Sequence, residues 1–155
     1  MSLYSILIFL HSIIRWLLLL GLLWSIFVAI RGYFSGLAFS KSHNALRHWT
    51  ATMSHFQLMV GFTLYTQSPL VQYFFTNAKS ATLTDISFFS IIHGSLMLTA
   101  IALITIGSAL AKRKTDSRDK FKTVAIFYSI ALIIILIAIP WPFSPLAQRP
   151  YIRLF

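Results

Sequence analysis

Polar residues interrupt this chain only at intervals. Four long apolar runs, near residues 3–30, 45–66, 86–111 and 124–139, are separated by short segments where Gly, Ser, Pro, Lys and Arg gather. Each run approaches the roughly 20 residues a helix needs to cross about 30 Å of hydrocarbon at about 1.5 Å per residue. The roughly 10-residue dyad alternation of barrel strands is missing. The pattern predicts an all-α, four-helix transmembrane bundle in a single domain, with helices over about 3–31, 44–67, 85–111 and 121–140 and a tail over 141–155.

Boundary signals fit that division. Ser42 or Asn44 is expected to cap the second helix and Thr84 or Asp85 the third. Ser68-Pro69 should end the second helix. The stretch "KRKTDSRDKFK" (Lys112–Lys122) reads as a solvated turn, and Pro140 and Pro142 should end the fourth helix. That last helix, "VAIFYSIALIIILIAI", carries no ligand and reads as a lipid-facing prop.

Composition sharpens the membrane reading. Only 10% of residues are charged and 57% are hydrophobic, against about 25% charged in an ordinary soluble domain. The formal charge of +10 would suggest nucleic acid in a soluble protein. Here the basic residues sit between apolar runs, without the aromatic interleaving that stacks bases, so nucleic acid is set aside. Counting Lys and Arg gives nine in the first and third connectors (Arg31, Lys41, Arg47, Lys112, Arg113, Lys114, Arg118, Lys120, Lys122) and three on the other side (Lys79, Arg149, Arg153). The positive-inside rule then places the nine in the cytoplasm and both termini of this multi-pass chain in the periplasm, or on the outside. Trp141, Phe143 and Tyr151 should mark the outer interface. No basic residue precedes the first apolar run and no A-x-A pattern comes after it, so that span is expected to be retained. The chain has no cysteine, which excludes disulfides, thiolate metal sites and thioether-linked haem.

Three of the five histidines fall well inside predicted spans: His11, His55 and His93. An ionisable group there points to function by default. Counting from the outer helix ends at the helical rise, His11 lies about 12 Å deep, His93 about 13 Å and His55 about 16 Å. His11 and His93 are therefore nearly level on different helices. A haem iron held by two imidazoles needs that arrangement, and helix bundles host such sites from facing helices. His93 stands beside Gly94, and small residues admit a flat macrocycle or another helix. The plainer reading is that these rings glue helices together. A three-histidine zinc site fits less well, because the depths differ and no carboxylate supports the ligands. Met59 and Met97 read as packing.

Arg15 lies one turn beyond His11, near the bilayer centre. The three acids, Asp85, Asp116 and Asp119, all fall outside the spans. Its counter-charge must then come from elsewhere: a haem propionate, a quinone oxygen, a lipid phosphate or a carboxylate on another subunit. A guanidinium suits a carboxylate through paired hydrogen bonds. The competing reading has Arg15 bonding backbone carbonyls or a partner interface.

Four stretches, "LHSIIRW", "SHFQLMVGFTLYTQSP", "HGSLMLTAIALITIG" and "KFKTVAIFYSIALIIILIAIPWPF", resemble in order a family of short bacterial four-helix membrane proteins labelled cytochrome b. The resemblance rests on histidines at the positions of His11, His55 and His93, an aromatic after Arg15, and the exit at Ile139–Phe143. It implies an inner-membrane haem protein in electron transfer.

The leading expectation is a b-type cytochrome with haem b ligated by His11 and His93. His55 is a substitute ligand or quinone contact, and Arg15 contributes charge. A second haem would need His48 or a residue from another subunit. The contrasting expectation is a haemless accessory subunit stabilising a larger membrane complex. The two are compatible, since a small cytochrome can itself be a subunit. A proton or ion carrier fits poorly without an embedded carboxylate. No Ser-His-Asp arrangement or soluble-substrate pocket is evident, so the chain reads as an electron carrier at most.

Overall fold

The computed structural model describes residues 3–77, 85–145 and 147–152. The described chain is helical: α1 (Leu3–Phe34), α2 (Lys41–Gln67), α3 (Pro69–Thr76), a single turn α4 (Asp85–Ser87), a π-helical turn (Phe88–Ile92), α5 (His93–Arg113) and α6 (Ser117–Ala138). From α4 to α5 the helix is continuous. Lys79, Thr84 and Arg153, used above for charge and capping, lie outside the described residues.

Among the described residues, three helices are long and apolar enough to cross a membrane: Leu3–Phe34, Asp85–Arg113 and Ser117–Ala138. α2 is long enough, at 27 residues, yet is not one of them. Its polarity has a structural cause. Arg47, Thr50, Ser54 and Gln57 are buried in the bundle, while Trp49, Phe56, Met59 and Phe62 face outward. The other helices likewise turn large apolar side chains outward, with Leu20 63% and Ile133 58% exposed. Soluble proteins rarely expose such a continuous apolar surface. This is the side-chain distribution of a membrane protein in contact with lipid.

Small residues set the helix spacing. Gly107 meets Phe127 of α6, and Gly32 meets Phe121; neither glycine has room for a Cβ unless its neighbour shifts. Close backbone approach of this kind compensates for the weak hydrophobic drive between helices in lipid.

Several boundaries differ from expectation. Ser40, not Ser42 or Asn44, caps α2: its hydroxyl accepts the His43 N–H, and His43 Nδ1 accepts the Ser40 N–H at 3.0 Å. This is a capping box with histidine in the place usually held by Glu or Gln. Asp85 lies inside the first turn of its helix, and Asp116 caps α6 by accepting the Asp119 N–H at 3.1 Å. The solvated turn contracts to residues 114–116. Pro69 both ends α2 and starts α3, where its missing N–H is harmless.

α6 corrects the prop reading. It packs on both α1 and α5, and Phe121, Val124, Tyr128, Ala131, Ile135 and Ala138 form a buried stripe along it. Only the opposite face, through Ile126, Ile130 and Ile137, is exposed. Beyond α6 the tail turns back, and Arg149 N–H donates to the Pro140 carbonyl at 3.2 Å. The bundle thus has a tail end, with the start of α1, α3, the π turn and the tail. Its loop end carries the α1–α2 and α5–α6 connections.

Candidate functional site

His11 and His93 meet at the tail end, with ring centroids 6.4 Å apart and planes inclined by 64°. The helix register brings His11 there from α1. A local distortion brings His93: the π turn ends on it, and its backbone N–H donates to the Phe88 carbonyl five residues back. Such a turn inserts a residue and rotates the rest of the helix beyond it, and π turns recur at functional sites.

Each ring is held from one side. His93 Nδ1 lies 2.8 Å from the Ala138 carbonyl of α6. That contact fixes Nδ1 as the donor and leaves Nε2 as the nitrogen available to a ligand, the usual orientation of a metal-binding imidazole. His11 Nε2 lies 3.2 Å from the Gln57 amide nitrogen, which also donates to the His11 carbonyl at 3.0 Å. His11 Nδ1, Gln57 Oε1, Arg15 Nε and Ser90 Oγ are buried without a hydrogen-bond partner among the described residues. Buried polar atoms are normally satisfied, so four orphans around one pair mark a place built for something more.

Two cavities, of about 170 and 280 Å³, flank the pair and share His11, Gln57, Gly61, Tyr65, His93 and Met97 as lining. Gly61 makes the approach to His11 feasible, since a Cβ there would stand 3.1 Å from the ring. Gly94 has open space beside it. Arg15 and Arg149 line only the first cavity, while the second is walled by Phe62, Leu98 and Ile101. The site therefore has a cationic side and an apolar side.

Arg15 does not pair with any acid among the described residues. Its guanidinium donates to the Tyr151 carbonyl, which also accepts the Trp16 indole N–H at 3.1 Å. Arg149 in the same tail pairs with Asp85 at 2.8 Å. The tail thus closes over the cationic cavity.

Comparison of the chain with protein-family models, with characterised proteins and with solved structures finds no match.

The expected residues separate into two groups. His11, His93 and Arg15 come together. His55 does not: it points to α5 and lies 2.9 Å from Thr105 Oγ1. Two residues on, Gln57 occupies the place facing His11, about 200° away around the helix. His48 is exposed beside Trp49, and His43 belongs to the α2 cap. Met97 lines both cavities, whereas Met59 is 65% exposed and not a packing residue within the bundle. Among the described residues, no group of three or more His, Asp or Glu side chains is placed to hold a metal ion. Sequence reasoning missed Gln57, whose signal is an amide in mid-helix on the Thr50–Ser54–Gln57–Gly61 stripe. It also missed Ala138, which contributes only a backbone carbonyl and has no signal.

Proposed function

We propose that this chain is a four-span, b-type cytochrome-like protein of a bacterial inner membrane, with haem b held between His11 and His93. α2 is the fourth span, its polar face turned inward. The basic connectors lie in the cytoplasm and both termini in the periplasm, in keeping with the excess of Lys and Arg at the loop end. The single observation that carries the reading is the 6.4 Å separation of the two rings. Two imidazoles this close, on different helices, could both reach one iron.

The residues fit the group in other respects. His93 already has its Nδ1 on a carbonyl. Gly94 has open space beside it, and Gly61 lets α2 come close to His11. Arg15 and Arg149 offer cations on one side only, where the carboxylates of a propionate-bearing ring would be stabilised. Haem supplies one-electron chemistry when bound; the protein supplies orientation, burial and charge, which tune its potential. His55 takes no part as a ligand to this iron. The electron-transfer role extends to a partner redox protein or larger complex, in keeping with the family resemblance.

A reduced-minus-oxidised absorption spectrum of protein purified from haem-replete cells tests this. Bands of a b-type haem are expected; His93→Ala should abolish them and His55→Ala should retain them. A folded, colourless preparation overturns the reading. It would favour the second reading, a haemless accessory subunit. One observation supports that alternative: both rings already bond neighbouring helices, through Gln57 and Ala138.

A further inference from the structure

A second polar region lies at the loop end. A groove of about 490 Å³ runs between α2 and α5, from Asn44 to His55 on one wall and from Thr105 to Lys112 on the other. At the helical rise the α2 wall is roughly 16 Å long and the α5 wall roughly 10 Å. Its floor is kept open by Ala51 and Ala109, and its walls carry Arg47, His48, His55 and Lys112. None of the three acids of the chain lines it.

The groove opens on the bundle's outer surface. Trp49, Phe56, Ile106 and Leu110 on the same two helices are exposed and apolar. Its charged mouth sits near the helix ends, with Lys112 in the last turn of α5 and Arg47 and His48 in the second turn of α2. Inward, the lining becomes small and weakly polar. Arg47 is only 5% exposed, and its guanidinium is anchored by Ser108 and Asn44. Its charge is therefore fixed in the wall. A neutral quinone would leave that charge and Lys112 uncompensated, whereas an anion answers both. The anion that abounds at this depth in a membrane is a lipid phosphate, and basic clefts between spanning helices suit such headgroups.

We propose that this groove holds the headgroup of an anionic phospholipid, with its phosphate at the mouth lined by Arg47, His48 and Lys112 and its glycerol backbone reaching toward His55. The inference rests on α2 lying in the bilayer, and is independent of haem at the other end.

The test is native mass spectrometry of the protein released from nanodiscs of equal phosphatidylglycerol and phosphatidylcholine. Wild type should retain phosphatidylglycerol about tenfold over phosphatidylcholine. Lys112→Gln, at an exposed position, and Lys112→Gln with His48→Gln should progressively reduce that preference toward parity. Lys122→Gln, exposed at the same end but outside the groove, should leave it unchanged. Equal retention of the two lipids by wild type, or an undiminished preference in the double variant, overturns the proposal. Displacement of the lipid by millimolar inorganic phosphate would assign the groove to the free anion and also overturn it. Absorption recorded on the same samples reads the haem site separately, so a colourless protein that still selects phosphatidylglycerol refutes only the cytochrome reading.

Discussion

Arg15 and Arg47 are both arginines on helices of an apolar bundle, and their surroundings differ. At the loop end Arg47 donates to the Ser108 carbonyl at 2.8 Å, to the Ser108 hydroxyl, and twice to Asn44 Oδ1, at 3.3 and 2.8 Å. Its own carbonyl accepts the buried Tyr128 hydroxyl at 2.8 Å. At the tail end Arg15 finds one carbonyl in the returning tail, keeps a buried Nε without a partner among the described residues, and borders a cavity. The first network is closed and the second is open. A closed polar network fixes how helices pack and holds its guanidinium in one place, whereas an open one leaves buried polar atoms beside two imidazoles without protein partners among the described residues.

The largest expected effect breaks the closed end. Arg47→Leu leaves the buried Ser108 hydroxyl and carbonyl without their charged donor, while exposed Asn44 loses its partner at the surface. A loss of about 3 kcal/mol is expected, since hydrogen bonds to charged groups are among the stronger ones and orphaned partners remain. The midpoint of SDS-induced unfolding reads it, and an unchanged midpoint would remove the claim that this end holds the helices together. If haem is bound, its absorption maxima should not move in this variant, because Arg47 is remote from the His11–His93 pair.

Arg15→Gln should do the reverse. Stability falls by less than about 1 kcal/mol, because one hydrogen bond is lost and one orphan is removed with it. If haem is bound, its midpoint potential should fall, since a nearby cation favours the form with one more electron. The shift is on the order of tens of millivolts, for a charge about 10 Å away in a medium of intermediate dielectric. A redox titration measures it. A potential that rises, or a protein as damaged as Arg47→Leu, would erase the distinction between the two ends.

The difference is only half legible in the sequence. Long apolar runs and proline stops reveal the helices, and equal depth brings His11 and His93 together. Arg47 counts there as a connector charge, because a residue near a predicted helix start carries no sign of being buried. α6 looks like a prop because a uniformly apolar helix has no polar stripe to tell its inner face from its lipid face. The π turn that aims His93 and the Ala138 carbonyl that orients it are backbone features, and side-chain pattern does not encode them. His55 misleads for the opposite reason: like the other two rings it falls well inside a span, though somewhat deeper, while its position around α2 places it on the far side from Gln57.

The smallest expected effect is also the most specific probe of closure. Tyr128 is fully buried; the Ser108 hydroxyl bonds to its hydroxyl, which itself donates to the Arg47 carbonyl. That carbonyl sits within α2, where a helical N–H four residues on also reaches it. Tyr128→Phe therefore removes a donor without stranding an acceptor, and the ring still fills its place between α5 and α1. The expected loss is small, about 0.5–1 kcal/mol, because the Ser108 hydroxyl keeps Arg47 as a partner. Combined with Arg47→Leu, it should cost less than the sum of the two singles, because residues within one network are coupled. Strict additivity in that double variant would mean that the two residues act separately, and the loop end would not be a closed network.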